Sequence, residues 1–195
     1  MKKGEKILIP SVPKITARLS WEDGDEIECD LMAFMLGDDG LIPSRWDIIF
    51  YNVHSHESHS VKHMGIKRRD GLSFDEIYVR PDLVPDKFKS ILFLSCVYEA
   101  SERSQSLKSV KNPRFCLSDS ISGSILCEYH IIPEDDRSAS VIIGRLSRKN
   151  SGWIFEAVGA EDRQQLVGVI ATRYGMRVDW RSDYKDVNAD KGVFS

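Results

Sequence analysis

The sequence has no apolar segment long enough to cross a membrane as a helix, which requires about 18 to 20 residues. Its N-terminal residues, MKKGEKILIP, include lysines but lack the continuous apolar run of a secretory signal peptide. These two absences lead us to expect a cytoplasmic protein. They leave peripheral association with a membrane open.

The sequence also has no large excess of positive or negative charge. Lys and Arg number 27 against 30 Asp and Glu, which gives a net charge of −3. This balance provides no overall attraction to a phosphate backbone, so we expect no nucleic-acid partner.

Cysteine is sparse and widely spaced. The four cysteines are Cys29, Cys96, Cys116 and Cys127. No CxxC pair of the kind that binds zinc is present, and each cysteine lies in an apolar or alternating segment. We therefore expect reduced cysteines in the core.

The common catalytic motifs are missing. The sequence contains no GxSxG, no GxxxxGK[ST] and no HExxH. We therefore expect a protein that is not an enzyme. A hydrolase that uses a metal-activated water is a lesser alternative, because catalytic groups converge in space and not along the chain.

The segments that are present predict a mainly β protein. From Ile15 to Trp21, apolar and polar residues alternate, which is typical of a strand with one buried face. Further strands are predicted at Ile27–Met35, Asp47–Tyr51, Glu76–Val79, Ser90–Tyr98, Arg114–Leu117, Ser124–Ile131, Ala139–Leu146 and Trp153–Val158. Short strands separated by turn residues such as Asp70-Gly71 are typical of a sandwich or a barrel.

Only a few segments have apolar residues spaced as in an amphipathic helix. The segment Glu161–Tyr174 has apolar residues at helical intervals and ends before Gly175, which predicts one C-terminal amphipathic helix. A short loop helix is weakly indicated at Ser101–Val110. We expect a single domain over residues 1–180, followed by a polar C-terminal tail over residues 181–195.

An acidic segment suggests a metal site. The segment Glu22–Ser44 contains eight Asp or Glu residues and no Lys or Arg. Ca²⁺ binds six to eight oxygen ligands in such loops, and Glu28 and Asp30, two apart in a strand, would share one face. A solvated acidic loop explains the same composition.

A histidine-rich tract is the second candidate. It contains His54, His56, His59 and, shortly afterwards, His63. Imidazoles could bind Zn²⁺ or Ni²⁺, with His54 and His56 on one face of an extended segment. Because serines fill the gaps, an exposed polar hairpin loop is the alternative.

Several ordered segments match a known family pattern: KGEKILI at Lys3–Ile9 resembles an opening KGxxVxL, and IECDLMAFMLGDDG at Ile27–Gly40 resembles a hallmark FDLDASxFxLGxDG. By these motifs the chain resembles the TerD family, a group of tellurium-resistance and stress-response proteins. VIIGRLSRKNSGWIFEAVG at Val141–Gly159 and RYGMRV at Arg173–Val178 resemble later family segments. The resemblance implies a two-sheet β-sandwich, a cytoplasmic location, Ca²⁺ held by acidic loops, and a role in resistance to tellurite, phage or other stress.

The chain departs from the family at the second acidic loop. Where the family has GDNxTGxGxGDDE, residues 65–76 read GIKRRDGLSFDE. The metal ligands that the resemblance implies here are Glu28, Asp30, Asp70, Asp75 and Glu76. Fewer carboxylates weaken Ca²⁺ binding.

The basic run at residues 67–69 suggests a substitute for the ion. We hypothesise that Lys67, Arg68 or Arg69 takes the electrostatic place of a lost Ca²⁺ and pairs with Glu28, Asp30 or Asp75. A residual, weak Ca²⁺ site and a metal-free interaction subunit are therefore both open. In either case we expect a non-catalytic protein whose partners are other Ter-type stress-response proteins.

Overall fold

The computed structural model describes residues 1–22, 27–150, 152–164 and 172–177. They form the strands β1 Lys6–Ile9, β2 Ile15–Glu22, β3 Cys29–Leu36, β4 Ile48–Ile49, β5 Val61–Arg69, β6 Leu72–Val79, β7 Ser90–Val97, β8 Arg114–Asp119, β9 Ile125–His130, β10 Ser140–Lys149 and β11 Gly152–Asp162. Short 3-10 helices occupy Arg45–Asp47, Pro81–Leu83 and Leu107–Ser109. The prediction of a mainly β protein is confirmed.

The strands form two antiparallel sheets. The larger sheet has the order β1-β11-β10-β7-β3-β4, and the smaller sheet has the order β5-β6-β2-β8-β9. The sheets pack face to face through aromatic side chains. The Phe115 ring of β8 lies 5.3 Å from the Phe93 ring of β7 and 5.6 Å from the Phe155 ring of β11. This two-sheet core is the sandwich that the resemblance implied.

Strand β2 shows why alternation predicted the fold. Ile15, Ala17, Leu19 and Trp21 are all at most 2% exposed, whereas Arg18 lies on the opposite face of the strand. Because successive side chains of a strand point to opposite faces, a period of two selects one buried face. The predicted orientation of this strand is confirmed.

The predicted C-terminal helix is wrong at its start. Glu161 and Asp162 end strand β11, where they lie opposite Val141 and Ser140 of β10. Sheet pairing therefore outweighs helical spacing at these positions. Thr172 is helical, but residues 165–171 and the predicted tail at 181–195 lie outside the described residues.

Other helical structure in the described part of the chain is short. The weakly indicated helix at Ser101–Val110 is only the 3-10 turn Leu107–Ser109. Within the described ranges no helix has as many as seven residues, and none is long and apolar enough to cross a membrane.

Residues 65–76 form a β-hairpin and not a loop. Strands β5 and β6 pair from Val61 opposite Val79 to Arg69 opposite Leu72. Asp70 and Gly71 form the turn, with φ angles of 53° and 78°. Asp and Gly are the residues that best tolerate positive φ in a two-residue hairpin turn. The second acidic loop expected from the resemblance is therefore extended sheet structure here.

Candidate functional site

The five predicted metal ligands lie at the end of the sandwich where β3 approaches the β5–β6 hairpin. Glu28 immediately precedes β3, Asp30 belongs to β3, Asp70 lies in the hairpin turn, and Asp75 and Glu76 belong to β6. Because Asp75 and Glu76 are consecutive strand residues, their side chains point to opposite faces of the smaller sheet. The carboxylates therefore do not converge on one point.

Glu76 is buried on the outer face of the smaller sheet between two cations. Arg18 lies directly opposite Glu76 in the β2–β6 pair, and its Nη2 is 2.6 Å from Glu76 Oε1. Lys67 Nζ donates to Glu76 Oε2 at 3.0 Å. Burial alone would raise the pKa of Glu76, but the hydrogen bonds from Lys67 and Arg18 outweigh burial and lower it. The carboxylate is neutralised within the protein.

Asp75 is fully buried and joins the two sheets. Its Oδ2 accepts a hydrogen bond from the backbone N–H of Leu31 on β3 at 2.9 Å, and its Oδ1 accepts from the backbone N–H of Glu76 at 2.8 Å. His63 Nε2 lies 2.9 Å from Asp75 Oδ2, within hydrogen-bond distance of the carboxylate. Three donors satisfy the Asp75 carboxylate.

His63 itself is only partly satisfied. It is 3% exposed, and its Nδ1 has no hydrogen-bond partner among the described residues. It lies before the bulge of β5 at Gly65, whose φ is 78°. This bulge shifts the register between His63 and Gly65, and it allows both His63 and Lys67 to contact carboxylates on opposite faces of β6.

Asp30 lies on the outer face of the larger sheet. It is directly opposite Cys96 in the β3–β7 pair, and it is three residues from Ala33, which pairs with the inward-facing Phe93. An odd separation along a strand places two side chains on opposite faces. Asp30 is 9% exposed.

The electrostatic environment of Asp30 disfavours its charge. Burial, and then the Asp75 carboxylate, raises the pKa of Asp30 to about 7, and His63 opposes that shift. Burial, and then Asp30, raises the pKa of the neighbouring Tyr51 to about 12. No lysine or arginine forms an ion pair with Asp30 among the described residues. Asp30 is thus the least compensated of the five carboxylates.

The two remaining carboxylates form exposed ion pairs. Arg68 Nη2 is 3.5 Å from Glu28 Oε1, with both side chains about half exposed, and this contact links the hairpin to the start of β3. Arg69 Nε is 3.0 Å from Asp70 Oδ2 at the hairpin turn, where both side chains are more than 80% exposed. Exposed pairs of this kind contribute little stability, about 0 to 1 kcal/mol.

The basic run therefore pairs with carboxylates, but not in every predicted combination. Arg68 contacts Glu28 as hypothesised, whereas Lys67 contacts Glu76 and Arg69 contacts Asp70. The buried Asp75 uses a histidine from outside the run. A long side chain on an edge strand pairs with its neighbour on the same face, and strand register decides that neighbour.

The five residues do not fit a single Ca²⁺ site. Within the described part of the chain, no three His, Cys, Asp or Glu side chains are grouped so that they could hold a metal ion. Ca²⁺ requires six to eight oxygens around one point, whereas these carboxylates lie at a turn, on two faces of β6 and beside β3. The acids Asp23, Asp25 and Glu26 of the predicted acidic segment lie outside the described residues.

The histidine tract is not an exposed hairpin loop throughout. His56 and His63 are buried, whereas His54 and His59 are exposed. His54 and His56 flank Ser55, which bridges to Lys62 in an antiparallel pairing, so they share one face of that extended segment, as predicted, although only His56 is buried. Each buried histidine pairs with a buried aspartate. The burial of these histidines could not be predicted, because the sequence around a histidine does not show which aspartate it will contact in the fold.

His56 forms a second buried His–Asp pair. Its Nε2 is 3.1 Å from Asp47 Oδ1, and its Nδ1 is 2.6 Å from Ser58 Oγ and 3.1 Å from the backbone nitrogen of Ser58. The ring also packs edge-on against Phe88, with ring centroids 5.4 Å apart. Sequence reasoning missed Asp47, because it lies in a 3-10 turn before β4 and outside any acidic segment.

The cysteines are free thiols, as expected. Cys29, Cys96 and Cys127 are buried, and Cys116 is half-buried. Burial raises the pKa of Cys29 and of Cys96, and the nearby Asp30 carboxylate adds to both shifts. Their thiolates, the reactive form, are therefore disfavoured.

The fold itself is found in a solved protein structure. A homologue of telluride resistance protein (TerD) from Streptomyces coelicolor superposes with a TM-score of 0.63 and 13% sequence identity. The match covers 86% of this chain and the whole of that protein. At this level of identity the likeness shows a shared fold, so the architecture is that of a TerD-like sandwich.

Sequence comparison shows the family directly. The TerD domain profile matches residues 1–174, so the chain belongs to the TerD domain family. The tellurium resistance protein TerD of Serratia marcescens is 29% identical over 173 residues, which is 86% of this chain and 90% of that protein. General stress protein 16U of Bacillus subtilis is 28% identical over 187 residues, covering 90% and 96% of the two chains. The recognition made from sequence motifs is confirmed.

Proposed function

We propose that this protein is a non-catalytic, cytoplasmic stress-resistance protein of the TerD type that functions without Ca²⁺ on its β5–β6 hairpin. Family membership and the names of its relatives, which refer to tellurium resistance and general stress, support the role in stress. One observation carries the metal-free part. The buried carboxylates of β6 are already occupied, Glu76 by Arg18 and Lys67, and Asp75 by His63.

Hydrogen bonds and ion pairs within the protein connect the two sheets at this end, as a bound ion would. Asp75 connects β6 to β3 through the N–H of Leu31, and Arg68 connects the hairpin to Glu28. Both links cross from one sheet to the other at the same end of the sandwich. The end of the fold is thereby kept in one arrangement, which favours docking of a second Ter-type stress-response protein, because a preformed surface loses less entropy on binding.

Genetic complementation tests the stress role. A bacterium from which its own TerD protein has been deleted is given this chain and plated on potassium tellurite. The proposal predicts restored growth with the wild-type chain and with the exposed-pair variant Asp70→Asn. Growth equal to that of the empty vector, although the protein is expressed and folded, would contradict the proposal.

A second candidate function is weak Ca²⁺ binding beside β3. Asp30 is buried without an ion pair to lysine or arginine in the described part of the chain, and a divalent cation would favour its ionised form. The backbone N–H of Tyr98 donates to the Glu28 carbonyl, so the β3–β7 pairing continues to Glu28 and places its side chain on the same face as Asp30. These two carboxylates would supply part of the ligand set.

Calorimetric titration distinguishes the two candidates. Chelator-treated protein is titrated with Ca²⁺, with Mg²⁺ as the control ion and Asp30→Asn as the control variant. Saturable heat with Ca²⁺ that is lost in Asp30→Asn would establish the second candidate. No saturable heat, together with a melting temperature that does not depend on chelator, would support metal-free function.

A further inference from the structure

A cleft of about 680 Å³ opens on the outer face of the smaller sheet, away from the hairpin turn. Its charged and large lining residues are Lys14, His59, Lys62, Met64, Tyr78 and Arg80. Two serines complete the lining, and no Asp or Glu contributes to it in the part of the chain that the structure describes. A volume of this size is typical of small-molecule sites in proteins.

Strand register brings the basic residues together. Tyr78 of β6 lies directly opposite Lys62 of β5 on one side and Thr16 of β2 on the other. Lys14 is two residues before Thr16, and Arg80 is two residues after Tyr78, so both extend the same outward-facing row. Residues from three strand segments that are distant in sequence therefore meet at one edge of the sheet.

The opposite wall of the cleft is held by backbone hydrogen bonds. The backbone N–H of Arg80 donates to the Ser60 carbonyl at 2.7 Å. Ser55 forms an antiparallel β-bridge with Lys62 of β5. His59 has a φ of 56°, which is uncommon for a residue other than glycine. The turn that carries His59 is thus fixed against the basic row.

The charges in the cleft are not compensated from within. Lys14, Lys62 and Arg80 form no ion pair with a carboxylate among the described residues, although the chain as a whole has a net charge of −3. Lys14 Nζ instead lies 3.6 Å above the centre of the Tyr78 ring, a cation–π contact that keeps it at the edge of the cleft. Glu76, two residues before Tyr78, is already bound by Arg18 and Lys67.

Three like charges in one cleft repel one another, and that repulsion is relieved when an anion binds. Arginine offers a planar fork of N–H donors that matches tetrahedral oxyanions, and lysine offers a point charge. Met64 and the Tyr78 ring add an apolar surface beside the charges. The cleft thus combines donors for an oxyanion with contacts for an organic group.

We propose that this cleft binds a phosphate-bearing anion, with Lys62 and Arg80 as the principal donors and Lys14 and His59 at its rim. The ligand class is inorganic phosphate or a small phosphate monoester. The site is separate from the carboxylates of Asp75 and Glu76 and does not depend on the proposed stress role or on metal binding.

Calorimetry with two probes tests this site at constant ionic strength in sodium chloride. The probes are inorganic phosphate and phenyl phosphate. We compare the wild type with the double variant Lys62→Gln/Arg80→Gln and with a control of equal charge change, Lys2→Gln/Lys149→Gln, whose residues do not line the cleft. We expect saturable binding with one site per chain, weakened at least about tenfold in the cleft variant and unchanged in the control.

The two probes identify the source of the phosphate. Tighter binding of phenyl phosphate assigns a monoester, since the ring then contacts Met64 and Tyr78. Equal affinity assigns free phosphate. The proposal is overturned if neither probe gives saturable heat below about 10 mM, or if the control variant loses as much affinity as the cleft variant.

Amide chemical shifts of the wild-type protein provide a second measurement that needs no variant. Addition of phosphate is expected to shift the amides of residues 59–64 and 78–80. Shifts confined to other parts of the chain would overturn the assignment of the cleft.

Discussion

Asp75 and Glu76 are neighbours in the chain, but they act on opposite sides of the smaller sheet. Asp75 accepts hydrogen bonds from His63 and from the backbone of β3, whereas Glu76 accepts from Arg18 and Lys67 on the outer face. One metal ion could not bind both side chains without breaking the pairing of β6. Each carboxylate is instead stabilised by its own set of donors.

We expect the Glu76 pair to stabilise the fold measurably. Glu76→Gln removes the charge that Arg18 and Lys67 share and should lower the free energy of unfolding by about 1 to 2 kcal/mol. The matched control is Asp70→Asn, which removes a carboxylate of the same hairpin whose ion pair is exposed and should change stability by less than about 0.5 kcal/mol. Urea unfolding measures both. Equal effects of the two substitutions would show that burial of Glu76 does not matter.

The His63–Asp75 pair should be strongly coupled. His63→Ala deprives a fully buried carboxylate of one of its donors, and we expect it to cost about 2 to 4 kcal/mol. In an Asp75→Asn background, where the buried charge is gone, the same change should cost clearly less. A double-mutant cycle by urea unfolding measures this difference. Strictly additive effects would mean that the two side chains do not depend on each other.

Much of the fold could be predicted from alternation, and the failures have identifiable causes. Strand β2 has a clear period of two because one face is buried, whereas the inner strands β3 and β7 are buried along their whole length and were predicted from their continuous apolar runs. Strand β5 was not predicted, because it is an edge strand with four exposed residues at its end and a bulge at Gly65 that interrupts the period. Strand β1, at the edge of the larger sheet, has only four residues.

The candidate site was predicted less well than the fold. The predicted strand began at Glu76, whereas β6 begins at Leu72. Because β6 includes both residues, the alternation of side chains along the strand places Asp75 and Glu76 on opposite faces of the sheet. The partner of Asp75 could not be predicted, because polar residues in a serine-rich tract indicate an exposed loop, whereas His63 is buried by contacts between distant strands.

Asp30 makes stability depend on pH in an unusual direction. Its pKa is raised from the ordinary 3.8 to about 7, so the folded protein holds a proton that the unfolded chain releases in this range. The contribution of Asp30 to stability is therefore greatest at low pH and falls as the pH rises from about 4 to about 7. Asp30→Asn removes this dependence.

The test compares the two proteins by urea unfolding between pH 4 and pH 8 in the presence of chelator. We expect Asp30→Asn to become the more stable of the two as the pH rises, by about 1 to 3 kcal/mol at pH 8. Titrating groups that are distant from Asp30 are common to both proteins and cancel in the difference. A difference that does not vary with pH would show that Asp30 has an ordinary pKa.

We propose that Lys67 and Arg68 of the β5–β6 hairpin neutralise Glu76 and Glu28 without a metal ion. The unfolding free energy of Lys67→Gln/Arg68→Gln, measured in chelator and again in excess Ca²⁺, tests this proposal. We predict that the double variant is less stable than the wild type by about 1 to 2 kcal/mol and that Ca²⁺ restores little of this loss. A variant as stable as the wild type, or one that Ca²⁺ restores completely, would contradict the claim.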